Sequence, residues 1–396
     1  MRVLISIMAS LLVLTAPAHA ISVTQTVYEG RLAKANIVVE VLTADDPATH
    51  KPISAGRYFY RKHRVDIPFT VTAGVRATVF QELKPSCVDE MTDCKAQAEF
   101  TLNDAAGGYT GTWKAIGARQ GFMVTLKQVA TRTLTLDQPP SAPAGLFAAL
   151  GDNADMATDP YQFRRVSAAT TYTPETLVGR TGYHTATDTG TGIHFIQLTR
   201  SADPAMTVKV NHILDQRRFE MVDWGLDCLA GGDTDMGPAS LGDWETYDSK
   251  VSFATDTLLV VQEGGGTFCG GAYPNNSFTY SQYDLKRGEI LDITHILNLY
   301  TDKDSQTPTP AFAALKAKLT PQSPWFVAKG IDPECLAPDL GYDYSLSFSA
   351  RGLVFSLTDL PHVIGACMDD FYVVPYAQLT TLWTRDAAAY FPQYAR

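Results

Sequence analysis

Hydrophobic and polar positions alternate over the first part of the chain. The runs VTQTVYEGRL, ANIVVEVL, GRYFYRKHRVDIPFTV, RATVFQEL, AQAEFTL, GYTGTWKA and GFMVTLKQV are rich in β-branched and aromatic residues, with Gly, Asp, Asn or Pro between them. A period of two places alternate side chains on one face of a sheet, so these runs predict seven or eight short strands across residues 21–133. Along Ile37, Val38, Val39, Glu40, Val41 and Leu42 the alternation weakens, which suits a strand covered on both faces. With almost no helical period among them, the prediction is an antiparallel β-meander, folded as a sandwich or an open barrel.

The pattern changes at TLTLDQPPSAPA, residues 134–145, where Pro and small residues read as an interdomain linker. From residue 146 to 396 strand and helix periods mix, which predicts an α+β domain and hence a β-rich two-domain protein. Residues 193–198 read as a strand. Met206, Val210, Ile213, Leu214 and Met221 recur at helical spacing behind Asp203, an N-cap candidate, and Pro204, suited to the first helical position. Residues 247–254 and 257–263 predict two strands joined by a tight turn, and residues 278–285 another. Residues 344–349 and 353–357 predict a hairpin over Ala350, Arg351 and Gly352. Residues 292–299 and 310–319 predict helices, and residues 375–383 the start of a C-terminal helix.

The first twenty residues stand apart from both patterns. Arg2 precedes an apolar run over residues 3–15, and Ala18, His19 and Ala20 form an A-x-A cleavage site. This is the pattern of a Sec signal peptide cleaved after Ala20, and it predicts a periplasmic or secreted protein with no membrane span after cleavage. The chain carries 32 Lys+Arg against 42 Asp+Glu, a formal net charge of −10. Such acidity disfavours nucleic acid, whose binding draws on basic surface, and is compatible with a basic protein partner. An even cysteine count in an exported chain reads as disulfides, and positions in the chain favour sequential pairing: Cys87–Cys94, Cys228–Cys269 and Cys335–Cys367.

Motifs that carry chemistry are few. There is no G-x-S-x-G elbow, H-E-x-x-H helix, P-loop or dinucleotide fingerprint. Gly264, Gly265 and Gly266 with Gly270 and Gly271 form a glycine-rich stretch that reads as a bulged turn pinned by Cys269, since the Lys-Ser/Thr of a phosphate cradle is missing. His50, His63, His184, His194, His212, His295 and His362 are scattered, and no Cys or His pair has metal-ligand spacing. No metal or cofactor is therefore expected, and no catalytic residue is assigned.

Several stretches of the second domain follow a familiar order. Phe195-Ile196-Gln197-Leu198 precedes Val210-Asn211-His212-Ile213-Leu214. The strand pair over residues 247–263 leads to Gly270-Gly271-Ala272-Tyr273-Pro274-Asn275, then to Tyr283-Asp284-Leu285-Lys286-Arg287-Gly288-Glu289. Tyr344 to Phe348 and Gly352 to Phe355 are followed by Val373-Val374-Pro375-Tyr376-Ala377-Gln378-Leu379. Over about residues 180–385 the chain resembles the exported RsiV/PdaC-like domains of unknown function, including the extracellular region of a lysozyme-sensing anti-sigma factor. It departs from them in having Tyr273 where relatives carry a histidine, and in the segment over residues 360–367.

The resemblance implies a non-enzymatic binding or sensing protein that recognises a protein, such as a lysozyme-like muramidase, or a cell-wall component. A cell-wall or ester hydrolase and a structural envelope module are the alternatives. Candidate binding residues are Tyr273, Pro274, Asn275, His362, Asp369 and Asp370, on loop-like segments beside cysteines. A loop held by a disulfide loses less entropy on binding.

Overall fold

The computed structural model describes residues 21–45, 51–73, 77–84, 87, 94–136, 145–147, 158–167, 170–230, 240–241, 248–269, 274–302, 304, 306–328, 335, 343–358 and 360–395. Residues 1–20, expected to be a signal peptide, together with Tyr273 and the side chain of His362, lie outside the described residues. The chain divides into two compact units, residues 1–62 with 66–154, and residues 63–65 with 155–396.

The first unit is an all-antiparallel barrel of β1 (Ile21–Leu32), β2 (Ala35–Asp45), β3 (Pro52–Tyr60), β4 (Ile67–Ala73), β5 (Thr78–Glu82), β6 (Ala98–Ala105), β7 (Gly108–Ala115) and β8 (Phe122–Leu136). Each strand pairs with the next, and β1 pairs with β8 from Ile21↔Leu136 to Leu32↔Val124, so the meander closes instead of staying open. Closure gives every strand two neighbours and leaves no unpaired edge. A register shift between Val27 and Tyr28 supplies a bulge on that seam. β8 runs on into the stretch read as a linker, and Leu146 is fully buried against Ile21, Val23 and Leu42, which carries the unit to residue 154.

Alternate positions fill the interior. Tyr58, Phe69, Phe80 and Phe100 are all buried there, with the Phe69 and Phe80 rings stacked at 4.4 Å and Tyr58 edge-on to Phe100 at 5.4 Å. The polar tips share one acceptor: Glu82 Oε2 takes the Tyr58 hydroxyl at 2.8 Å and the Trp113 indole N–H at 2.6 Å. The weak alternation of β2 has a structural cause. Val38 and Glu40 are buried on the other face, and Glu40 accepts from Arg57 Nε at 2.7 Å. Gly30 permits the β1–β8 seam to close, because a Cβ there would lie 1.8 Å from the Thr125 carbonyl oxygen. Gly30→Ala is expected to destabilise the barrel by about 1–3 kcal/mol, the usual cost of forced overpacking, read as a lower urea midpoint.

The second unit is α+β. Helix α1 (Pro160–Val166) precedes β9 (Thr170–Tyr172), β10 (Thr176–Val178), β11 (Thr181–Asp188) and β12 (His194–Arg200). The long helix α2 (Pro204–Ala230) begins where expected, with Asp203 Oδ1 accepting the Ala205 N–H at 2.9 Å. Next come β13 (Ser240–Leu241), β14 (Asp248–Ala254), β15 (Leu258–Phe268), β16 (Asn275–Asp284) and β17 (Glu289–Ile290), which form one sheet around β15. The small pair β18 (Tyr300–Asp302) and β19 (Thr307–Pro308) leads to helices α3 (Pro310–Lys316) and α4 (Pro324–Val327). A last sheet contains β20 (Ser345–Phe348), β21 (Gly352–Leu357) and β22 (Asp369–Pro375).

Strand β15 explains the layering. Leu259 and Val261 pack with Val210 and Leu214 of α2, while Leu258 and Val260 join a second core with Phe348, Phe355 and Tyr372. Its apolar run is thus buried on both faces.

Three local expectations are corrected. Residues 292–299 hold only a single turn, Ile293–His295, and the helix expected from residue 375 is the turn Tyr376–Gln378. The same cause acts at both places. Asn298 N–H donates to Leu382 O at 2.6 Å and Thr384 N–H to Ile296 O at 3.1 Å, so the two segments use on each other the groups a helix would use internally. The glycines 264–266 are not a turn: they lie inside β15, paired with Phe278, Ser277 and Asn276.

Buried charge is also organised here. Asp188 accepts from Arg64 Nη2 at 2.6 Å and Nη1 at 3.1 Å, from the Gly190 and Thr191 N–H groups, and from Thr191 Oγ1. Burial raises its carboxyl pKa, but the bonds from Arg64 and Thr191 outweigh this and hold it below the usual carboxylate range. A depressed folded pKa adds stability above the unfolded value near ~3.9 and loses it as pH falls through the folded value. Acid unfolding of the second unit is expected to steepen below about pH 4, and Asp188→Asn, followed by circular dichroism, to flatten that dependence.

Candidate functional site

Period-two geometry builds one wide surface on β14, β15 and β16. The register sets Asp248 opposite Gly264 and Lys250 opposite Gln262, then Gly264 opposite Phe278 and Gly266 opposite Asn276. Residues two apart share a face, so Asp248, Lys250, Gln262, Gly264, Gly266, Asn276 and Phe278 point the same way. Together with Gly365 and Met368 from the turn His362–Cys367 and its end, they line a groove of about 900 Å³. The three glycines leave the floor without side chains, so a ligand can approach the backbone closely. A Cβ on Gly264 would lie 2.2 Å from Ser277 O, so β15 and β16 come together only with glycine there.

Two residues on from Phe278 along β16, Tyr280 joins Ser356 on one carboxylate. Asp370 accepts the Tyr280 hydroxyl at 3.0 and 3.1 Å and the Ser356 hydroxyl at 2.7 Å. Burial first, then the facing Asp370, push the Tyr280 phenol above its ordinary pKa, which keeps it a donor. Tyr280 stands edge-on to Phe278 at 5.8 Å, fixing that ring at the groove wall. Val363, 88% exposed, projects from the turn beside it.

Two disulfides frame this surface. Cys228–Cys269 ties the end of α2 to the residue after β15, and Cys335–Cys367 ties the end of the turn to an earlier segment. Cys87–Cys94 closes the third pair, in the barrel unit. On the opposite face of β15, Glu263 is buried and accepts from Arg217 Nε of α2 at 2.8 Å.

The sequence-derived candidates fall around the groove unevenly. Asn275 opens β16 as an exposed residue, and its carbonyl accepts the Thr267 hydroxyl at 3.3 Å; Pro274 immediately precedes it. His362 begins the turn, and Asp369 opens β22, where its side chain accepts the Asp370 N–H at 2.6 Å. The segment before Phe278 and the segment before Asp370 thus meet at one groove. Asp248, Lys250, Gln262 and the glycine floor were not among those candidates. Alternation along residues 247–263 was their one signal, and it does not reveal which strand lies alongside.

A histidine–carboxylate pair stands at the rim, His194 Nδ1 to Asp248 Oδ1 at 2.8 Å. Among the described residues no hydroxyl is hydrogen-bonded to His194. Among the described residues there is also no group of three or more His, Cys, Asp or Glu placed to hold a metal ion, and no helix long and apolar enough to cross a membrane. The chain matches no family model and no curated protein.

Proposed function

We propose that this chain is a periplasmic binding or sensing protein that recognises a glycan-containing component of the cell envelope in the groove on β14, β15 and β16. The observation that carries the reading is the lining: amide, carboxylate, ammonium and hydroxyl groups on a rigid sheet, a glycine floor without side chains, and one held aromatic ring. Sites that select polar ligands use a few fixed hydrogen-bonding groups beside aromatic surface, and a saccharide offers hydroxyls for the first and an apolar ring face for the second. The three disulfides fit an oxidising compartment. The resemblance to exported sensor domains supports recognition over catalysis.

Calorimetry of the mature chain with soluble peptidoglycan fragments tests this, with lysozyme as a second titrant. The fragments are expected to bind, and Gln262→Ala and Asn276→Ala each to weaken them about tenfold, the worth of one hydrogen bond at the upper end of the usual range. Absence of fragment binding, or lysozyme binding that the fragments do not compete for, overturns the glycan reading; the second result moves the groove to a basic protein partner.

A further inference from the structure

The second unit contains another cavity, lined by other residues than the groove, and one cation in its wall has only a long ion pair, to the part-exposed Asp215. Three arginines of this unit are placed by close carboxylates. Arg64 is paired with Asp188, Arg165 with Asp223 and Asp227, and Arg217 with Glu263 and Glu220. Arg218, the next residue of α2, differs. Its nearest carboxylate oxygen, on Asp215, is 3.7 Å away, its Nε is buried with no hydrogen-bond partner, and it makes no hydrogen bond to any described residue. Its guanidinium instead lies over the Phe219 ring at 4.5 Å and the Phe195 ring at 5.2 Å. Cation–π contact orients the plane and returns part of the desolvation cost, but leaves the N–H donors of the fork unused.

The cavity beside it measures about 320 Å³, at the small end of ligand sites. Val166, Phe195 and Val222 give it apolar walls, and Ser167, Thr170 and Tyr172 place hydroxyl-bearing side chains around them. Asp188 also lines it, with its oxygens engaged by Arg64, Gly190 and Thr191. We infer that this cavity is a binding site for a small monocarboxylate with a short apolar or aromatic body, held by the Arg218 guanidinium. The chemistry is selective in three ways. A carboxylate matches the planar fork and makes charge-assisted bonds. The apolar walls favour a hydrocarbon body. Arg218 is the one cation among the lining residues, so the second charge of a dianion such as phosphate or a dicarboxylate would stay unpaired.

Benzoate is a suitable probe, titrated by calorimetry into the mature chain beside benzamide and inorganic phosphate. Benzoate is expected to bind about tenfold to a hundredfold more tightly than benzamide, the range that a hydrogen bond to a charged group supplies, and phosphate to bind more weakly than either. Arg218→Gln is expected to remove the preference for benzoate over benzamide, and Arg218→Lys, which keeps the charge without the fork, to retain part of it. Asn276→Ala, in the groove, is expected to leave benzoate binding unchanged, so failure of this site and failure of the glycan groove are separately visible. Equal binding of benzoate and benzamide to the unmodified chain, no benzoate binding at millimolar concentration, or undiminished benzoate binding by a folded Arg218→Gln chain overturns the inference.

Discussion

Arg165→Ala is expected to cost the second unit about 3–5 kcal/mol, the loss seen when one partner of a buried ion pair is removed. Arg165 lies in the last turn of α1 with its side chain only 1% exposed. Its two terminal nitrogens donate to Asp223 and Asp227, one turn apart on α2, and its Nε donates to Arg64 O at 3.0 Å. The two carboxylates are not equal. Asp227 is 62% exposed and keeps its hydration without the arginine, whereas Asp223 is 14% exposed and loses its buried countercharge. Alanine would also leave the Arg64 carbonyl short of a donor and a void the size of a long side chain. Urea unfolding reads the effect. Arg165→Met separates the causes, because methionine refills volume without charge: recovery of most of the loss would assign it to packing, and a loss as large as that of alanine to the ion pair.

Removing Cys228–Cys269 is expected to cost about 4 kcal/mol, the chain-entropy value for a loop of that length. The two cysteines are 41 residues apart in sequence. The bond joins the last turn of α2 to the end of β15, so its loss frees both the helix end and the strand that supplies the glycine floor of the groove. Two readouts should move together: a lower unfolding midpoint for Cys228→Ala/Cys269→Ala, and weaker binding of peptidoglycan fragments. A midpoint unchanged by the double substitution would show that the Arg217–Glu263 pair and the α2–β15 core hold this junction unaided.

The parts of the fold that were legible share a short range. The alternation in VTQTVYEGRL and GYTGTWKA reports β1 and β7 because the period is set by neighbours two residues apart. Met206, Val210 and Leu214, with Asp203 ahead of them, report α2 for the same reason. The cysteines were paired from order in the chain, and the structure has the same three bonds. Misreadings arose where distant backbone competes with local preference. Residues 296–298 and 382–384 bond to each other and so do not form the expected helices. The glycines 264–266 look like a turn in isolation, yet pairing with residues 276–278 draws them into a strand.

The candidate site divides along the same line. Pro274, Asn275, Asp369 and Asp370 were visible as polar residues beside cysteines, but nothing local shows that Tyr280 and Ser356 hold Asp370, since the first is 90 residues away. Likewise Arg218 looks like any other helix-surface arginine until the carboxylates of its neighbours are seen to be taken by other cations.

The sequence by itself determined most of the elements, the two-part β-rich organisation, the expectation of an exported, disulfide-bonded chain and the acidic charge. All of these depend on residue type, count or spacing within a few positions. Tertiary structure alone decided that β1 closes on β8, that three strands and one turn share a groove, and which half-buried arginine is left without a hydrogen-bonded carboxylate. Those outcomes depend on the register between segments far apart in the chain. A register shift of one residue would turn each strand's side chains to the opposite face without changing a single local pattern.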